Sequence, residues 1–374
     1  MSTRREFLKG LANATGGIVF LSCGLAEAAA RLAQSGGTGR RREVRVSGRR
    51  VKTVDIHCHC TIPEVWDLVK DQAEARNLRP DPGSGPPGNP ELLPFSNVAE
   101  RLRLMDEWGI DVQAISLYPG AFYNWAEPDR ARQIIQLQNE KIAEMCARHA
   151  DRFVGLAAVA LQHPDLAAEQ LQHAIKNLGM RGCQIQGSVN GEELASPRFH
   201  PFWAKAEELG CVVFIHPSGF PEGQRRFQGN GWLVNVIGNP LETTVALSHL
   251  IFEGTLDRFP GLKICAAHGG GFLPSYSGRS DRCFLPNPQE CKPVKKNPSE
   301  YLKQMYFDSL VFTSEGLRHL AAEVGASQIV LGTDFPFGWE SGPADHILKT
   351  PTLTDTEREA MLGGTAARLL RIGT

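Results

Sequence analysis

The stretch TVDIHCHCTIPE, residues 53 to 64, sets His57, Cys58, His59 and Cys60 in one unbroken run. Imidazole nitrogen and thiolate sulfur both bind zinc, so the run suits either a structural zinc knot or part of a catalytic metal centre. It follows Val51, Val54 and Ile56 and reads as the end of a buried strand, on which successive side chains point to opposite faces. On a regular strand His57 and His59 share a face with Asp55, while Cys58 and Cys60 face the other way. No later Cys-x-x-Cys or His-x-x-x-His offers the second pair that a closed structural site needs, so the knot lacks partners. Two histidines at i and i+2 remain, as metal ligands or as satisfied core side chains.

Other residues tip that balance. His216 closes the apolar run CVVFIH, His268 closes LKICAAH, and Asp334 follows QIVLGT. With His57 and His59 they make five metal-binding or proton-moving groups, each at the C-terminal end of an apolar stretch. Three histidines and one aspartate with room for water suit one zinc, and a fifth, non-ligating group suits a base. His149, His163, His173, His200, His249, His319 and His346 fall in predicted helices or loops with polar neighbours and are given no role.

The elements that must position these groups alternate. Short β-rich runs occur at 51–57, 111–117, 153–159, 181–186, 211–216, 262–268, 305–310 and 328–333, with helical patterns between them. Pro128 and Pro164 open helices, Gly179 stops one, and Thr354 with Glu357 forms a capping box for the last. Eight strand-then-helix units predict an α/β chain folded as a (β/α)8 TIM barrel, whose chemistry gathers at the C-terminal ends of its strands. The proline- and glycine-rich segments 79–95 and 283–298 follow strands one and six and are expected as long loops over that mouth. No Gly-x-Gly-x-x-Gly turn supports a dinucleotide fold.

The bulk composition is that of an ordinary soluble globular protein: 42% hydrophobic, 22% charged, net charge -1. Without a basic excess, nucleic acid is not an expected partner, and a small molecule is. Residues 1–30 read as a twin-arginine export signal: Arg4 and Arg5, then the weakly apolar IVFLSCGLA, then small residues to Ala30. That predicts a periplasmic or secreted protein cleaved near Ala28 to Ala30, with no stable membrane insertion afterwards. Residues 31–50 are expected as a flexible, arginine-rich linker, leaving 51–374 as the folded domain. Most of the nine cysteines lie in apolar segments and read as buried thiols.

The ordered motifs DIHCH, FIHPSG, AAHGGGFLP and GTDFPFG resemble the amidohydrolase superfamily, in its branch of aminocarboxymuconate-semialdehyde decarboxylases. The segments RLRLMDEWGIDVQAIS and NPLETTVALSHLIFEGTLDRFPGLKI extend the likeness from about residue 53 to 372. The resemblance implies metal ligation by His57, His59, His216 and Asp334, with His268 activating a water at the metal. It implies that Arg101 binds a substrate carboxylate and that Arg279 is donated across a homodimer interface. Guanidinium forks suit such carboxylates. No lysine stands near Gln184 and Gln186, where binuclear relatives carry one, so one metal per chain is expected: Zn2+, with Mn2+ possible. The implied activity is non-oxidative decarboxylation of an unsaturated or aromatic carboxylic acid. The alternative on the same scaffold is metal-dependent hydrolysis of an ester, lactone or amide.

Overall fold

A computed structural model of the protein describes residues 41–74, 97–229, 232–284, 294–337, 339 and 342–373. The segments expected as an export signal, as the first long loop and as the centre of the second lie outside the described residues.

Eight parallel strands form one sheet in sequence order: β1 (Val54–Cys60), β2 (Val112–Leu117), β3 (Phe153–Ala157), β4 (Gly182–Gln186), β5 (Val212–His216), β6 (Lys263–Ala266), β7 (Tyr306–Asp308) and β8 (Ile329–Val330). The sheet closes on itself. The Ile56 N–H donates to the Leu331 carbonyl at 3.0 Å, and His59 N–H donates to the Phe335 carbonyl at 2.8 Å. The expected TIM barrel is therefore present, and each expected strand coincides with one of these eight. Strands β1, β2 and β5 are buried along their whole length, as parallel strands covered on both faces must be.

The main helices follow the strands: α1 (Val98–Trp108), α2 (Pro128–Arg148), α3 (Pro164–Lys176), α4 (His200–Leu209), α5 (Asn239–Phe252), α6 (Pro298–Leu302), α7 (Ser314–Val324), α8 (Pro343–Lys349) and α9 (Thr365–Leu370). Asn97 caps α1 by accepting from the Glu100 N–H at 3.1 Å. Pro128 and Pro164 open their helices, where a missing N–H costs nothing. The Thr354–Glu357 capping box forms as expected.

Two apolar layers result. Outward-facing Cys58, Ile115, Cys183 and Ile215 pack against Leu104, Ile135, Leu171 and Trp203 of the helices. Inward-facing Val54, Val112, Leu156 and Val212 pack against Ala366, Leu369 and Leu370 of α9. Helix α9 thus fills the N-terminal end of the barrel with apolar side chains and leaves the C-terminal end for polar ones.

Three local expectations are corrected. Asp55 pairs with Gln113 and Cys58 with Ile115, three residues of β1 against two of β2, so a bulge interrupts the alternation. Asp55 consequently bonds Gln113 and Thr333, while His57 and His59 face the other imidazoles; they do not share its face. The arginine-rich segment is not a free linker from residue 41 on. Arg45–Val46 pairs with Arg49–Arg50 in a hairpin turned by Ser47 and Gly48, both at positive φ, and Val44 and Val46 are buried. Six described cysteines stand outside any disulfide, but Cys283 is disulfide-bonded. No described helix is long and apolar enough to cross a membrane.

Candidate metal centre and active site

His57, His59, His216 and Asp334 come together at the C-terminal end of the barrel, with one ligand atom of each within 4.8 Å of all the others. The structure gathers the four groups expected as ligands. Nε2 of His57 and Nε2 of His59 are 3.2 Å apart, and Asp334 Oδ1 lies 3.1 Å from the first and 3.0 Å from the second. The His216 ring centroid is 4.9 Å from that of His57 and 4.7 Å from that of His59.

The other edge of each ring is anchored to a group that can only accept. His57 Nδ1 is 2.6 Å from Asp308 Oδ2, His59 Nδ1 is 3.0 Å from the Leu117 carbonyl, and His216 Nδ1 is 2.6 Å from the Pro217 carbonyl. Each Nδ1 must therefore carry a proton, which turns each Nε2 toward the common centre. His216 Nε2 is buried there without a hydrogen-bond partner. Neutral imidazoles so arranged aim lone pairs at one another, an arrangement that a cation relieves. The donor set fits a single divalent metal.

In the metal-free protein a proton partly does the cation's work. Burial opposes a charged His57, but the Asp334 and Asp308 carboxylates outweigh it and push the imidazole up to about 10. Burial holds His59 down, and burial with the neighbouring imidazoles holds His216 well down, so the positive charge collects on one ring. Burial alone would raise Asp334, yet His57 and its neighbours keep that carboxyl well below its ordinary range.

His268 stands beside the ligands. Its Nε2 is 3.7 Å from Asp334 Oδ2, its Nδ1 is buried without a partner, and its ring centroid is 5.2 Å from that of His216. His268 and Asp334 both hold positive φ, 54° each, which costs free energy for residues other than glycine and is concentrated at functional sites. An aromatic rim adjoins the centre. Phe337 lies 6.2 Å from His59, and Trp339 packs on Trp232 and Phe312 while donating its indole N–H to Asp334 Oδ2 at 2.8 Å.

Arg101 is 1% exposed on α1, outside the barrel wall. Its guanidinium donates to Gln113 Oε1 at 3.0 Å and to the His59 carbonyl, and lies 4.2 Å from the centre of the Phe335 ring. With its fork engaged behind His59, Arg101 supports the ligand-bearing strand. Arg279 is exposed on the short Ser277–Ser280 helix.

Sequence reasoning missed Asp308 and Trp339. Asp308 sits at the C-terminal end of β7, the same position that drew attention to His216 and His268. Scanning strand ends for carboxylates as well as imidazoles would have found it. Trp339 had no such signal.

A family model described as amidohydrolase matches residues 54–372. The chain is 36% identical over 272 residues to a 2-amino-3-carboxymuconate-6-semialdehyde decarboxylase of Dictyostelium discoideum, covering 72% of this chain and 75% of that one. It is 33% identical over 260 residues to a gamma-resorcylate decarboxylase of Rhodococcus jostii, covering 66% and 78%. Among solved structures, it superposes with a TM-score of 0.74 and 27% identity on a dihydroxybenzoic acid decarboxylase from Polaromonas with bound manganese and the inhibitor 2-nitroresorcinol. That match covers 86% of this chain and 97% of the other.

Proposed function

Because the chain belongs to the amidohydrolase family, we propose that it is a metal-dependent, non-oxidative decarboxylase of an aromatic or unsaturated carboxylic acid. The observation that carries this reading is a four-ligand cluster with His268 beside it but outside the ligand set. Relatives named as decarboxylases, at 36% and 33% identity, support the same chemistry.

His57, His59, His216 and Asp334 would hold one divalent cation. Three imidazoles and a carboxylate favour zinc, and the manganese of the Polaromonas structure makes manganese the competing metal. When bound, the cation supplies positive charge that holds substrate oxygens and steadies the electron pair left as carbon dioxide departs. The residues do the rest. His268 delivers from Nε2 the proton that replaces the carboxyl group on carbon, which closes the balance of the reaction. Phe337, Trp339 and Trp232 offer apolar faces for an unsaturated ring and limit water beside the proton donor. Burial of His57, His59 and Asp334 keeps the electrostatic field strong.

Arg279 would meet the substrate carboxylate across an interface between two copies of the chain. Exposed Phe272 and Tyr276 near it in sequence give that face apolar surface, which supports the reading. Loss of activity on dilution, restored at high concentration, is the expected sign. A fully active monomer would remove Arg279 from the site. Export is proposed as well, on Arg4 and Arg5 with the apolar run behind them. The disulfide at Cys283 agrees with an oxidising compartment. A Lys pair in place of Arg4 and Arg5 should retain the protein in the cytoplasm.

The deciding experiment loads the purified protein with zinc or manganese and measures carbon dioxide release from hydroxybenzoates and muconate semialdehydes. Release that stops on chelation is expected. Stoichiometric metal without release, together with hydrolysis of esters or lactones, would sink the decarboxylase reading and establish the hydrolase.

A further inference from the structure

Asp308 is a fully buried carboxylate whose two oxygens serve two parts of the site. Oδ2 lies 2.6 Å from His57 Nδ1 and accepts the His268 backbone N–H at 2.8 Å. Oδ1 accepts the Gly269 N–H at 2.9 Å and the Leu310 N–H at 3.1 Å. One side chain therefore fixes the ring orientation of a metal ligand and clamps the turn that presents the acid–base group. We propose that Asp308 is a positioning residue that couples the metal centre to His268.

The surrounding chain is shaped for this pairing. A methyl group on Gly332 would meet Asp308 Cβ at 2.8 Å and His57 Cβ at 3.0 Å, so the close approach of the pair requires glycine there. The clamped turn is one that side chains resist. His268 holds φ 54° and Gly269 φ 62°, and a methyl on Gly269 would meet Val311 at 2.6 Å. The His268 and Gly269 N–H donors to one carboxylate keep that turn in place without a hydrogen bond to His268's own ring, and the Leu310 N–H holds the carboxylate itself. His59 and His216 rest on backbone carbonyls, which serve one ring each and have no link to His268. Asp308 differs from both in joining the two functions.

The inference rests on the proposed function only for its turnover arm. Metal affinity and the state of the His57 ring are read without any substrate. In Asp308→Asn, the amide that replaces Oδ2 would face the His57 Nδ1–H and the His268 N–H with donors, while its oxygen retains the Gly269 bond. Zinc affinity, measured by titration of the metal-free protein against a chelator, is expected to fall about 10–100-fold. At saturating zinc, kcat is expected to fall at least about tenfold with KM little changed, because misplacing His268 affects the transition state more than binding. Gly269→Ala, which disturbs the turn and spares the His57 contact, is expected to lower kcat while zinc affinity stays within about threefold of the parent.

Unchanged zinc affinity in Asp308→Asn overturns the proposal whatever the turnover does. Lowered affinity with wild-type kcat at saturating zinc overturns the coupling. Should the variant not fold, the wild-type protein decides: with labelled histidine and zinc bound, His57 must show a strongly deshielded Nδ1 proton, and its absence would refute the pairing. If the wild-type protein releases no carbon dioxide, the proposed function has failed, and the affinity and Nδ1 results still judge Asp308.

Discussion

Nε2 of His57 and Nε2 of His59 face each other at 3.2 Å although both rings donate their Nδ1 protons outward. The His57 imidazole, raised to about 10 by the carboxylates beside it, keeps a proton at neutral pH when no metal is present. A metal must displace that proton, so its apparent affinity rises with pH by about tenfold per unit below the His57 midpoint. Metal titrations across the neutral range in a weakly coordinating buffer check the slope. A flat profile would show that no proton is displaced.

Metal should also stabilise the fold, since the ligands come from β1, β5 and the residues after β8 and converge only in the native barrel. At a free concentration one hundred times its dissociation constant, it should add about 2.7 kcal/mol. The melting temperature with and without chelator measures this, and His59→Ala should abolish the difference.

His268→Gln should lower turnover by about 10²–10⁴-fold, the range expected for loss of a positioned acid–base group. Bound metal should remain one per chain, because His268 is not among the four ligands. Metal analysis beside the kinetics separates this outcome from loss of the centre.

Arg101→Ala should act through stability. Removing a buried guanidinium that serves Gln113 and the His59 carbonyl should cost about 3 kcal/mol. Denaturant unfolding would reveal it. A selective rise in KM at unchanged stability would instead indicate contact with substrate.

Glu242, buried on α5, has its carboxyl raised by burial from the ordinary 4.5 to about 6, although Ser188 Oγ donates to it at 2.8 Å. A raised carboxyl favours the folded state while protonated, so that contribution is present below the lower value and lost as pH rises through the higher. Glu242→Gln keeps the acceptor without the charge. It should exceed the parent in stability by up to about 2 kcal/mol above the upper midpoint, and match it at low pH. Unfolding at both pH values tests the sign.

Much of this architecture is written locally. The eight strands, the proline and capping-box starts of the helices, and the placement of His57, His59, His216, His268 and Asp334 at strand ends all follow from short-range patterns. A barrel then brings the strand ends to one rim, so the ligand cluster was legible before any contact was known. Other features depend on pairings between distant segments. The bulge between Asp55 and Cys58 exists only against β2, and it decides which side chains of β1 enter the barrel. Arg101 had a suggestive position in its motif, but α1 packs it behind His59, where its fork is already engaged. Asp308 meets His57 across 251 residues of chain and His268 across 40. Side-chain periodicity is a property of a single strand, whereas register, the side of the wall a helix occupies and the partner of a buried charge are settled only when all eight strands close.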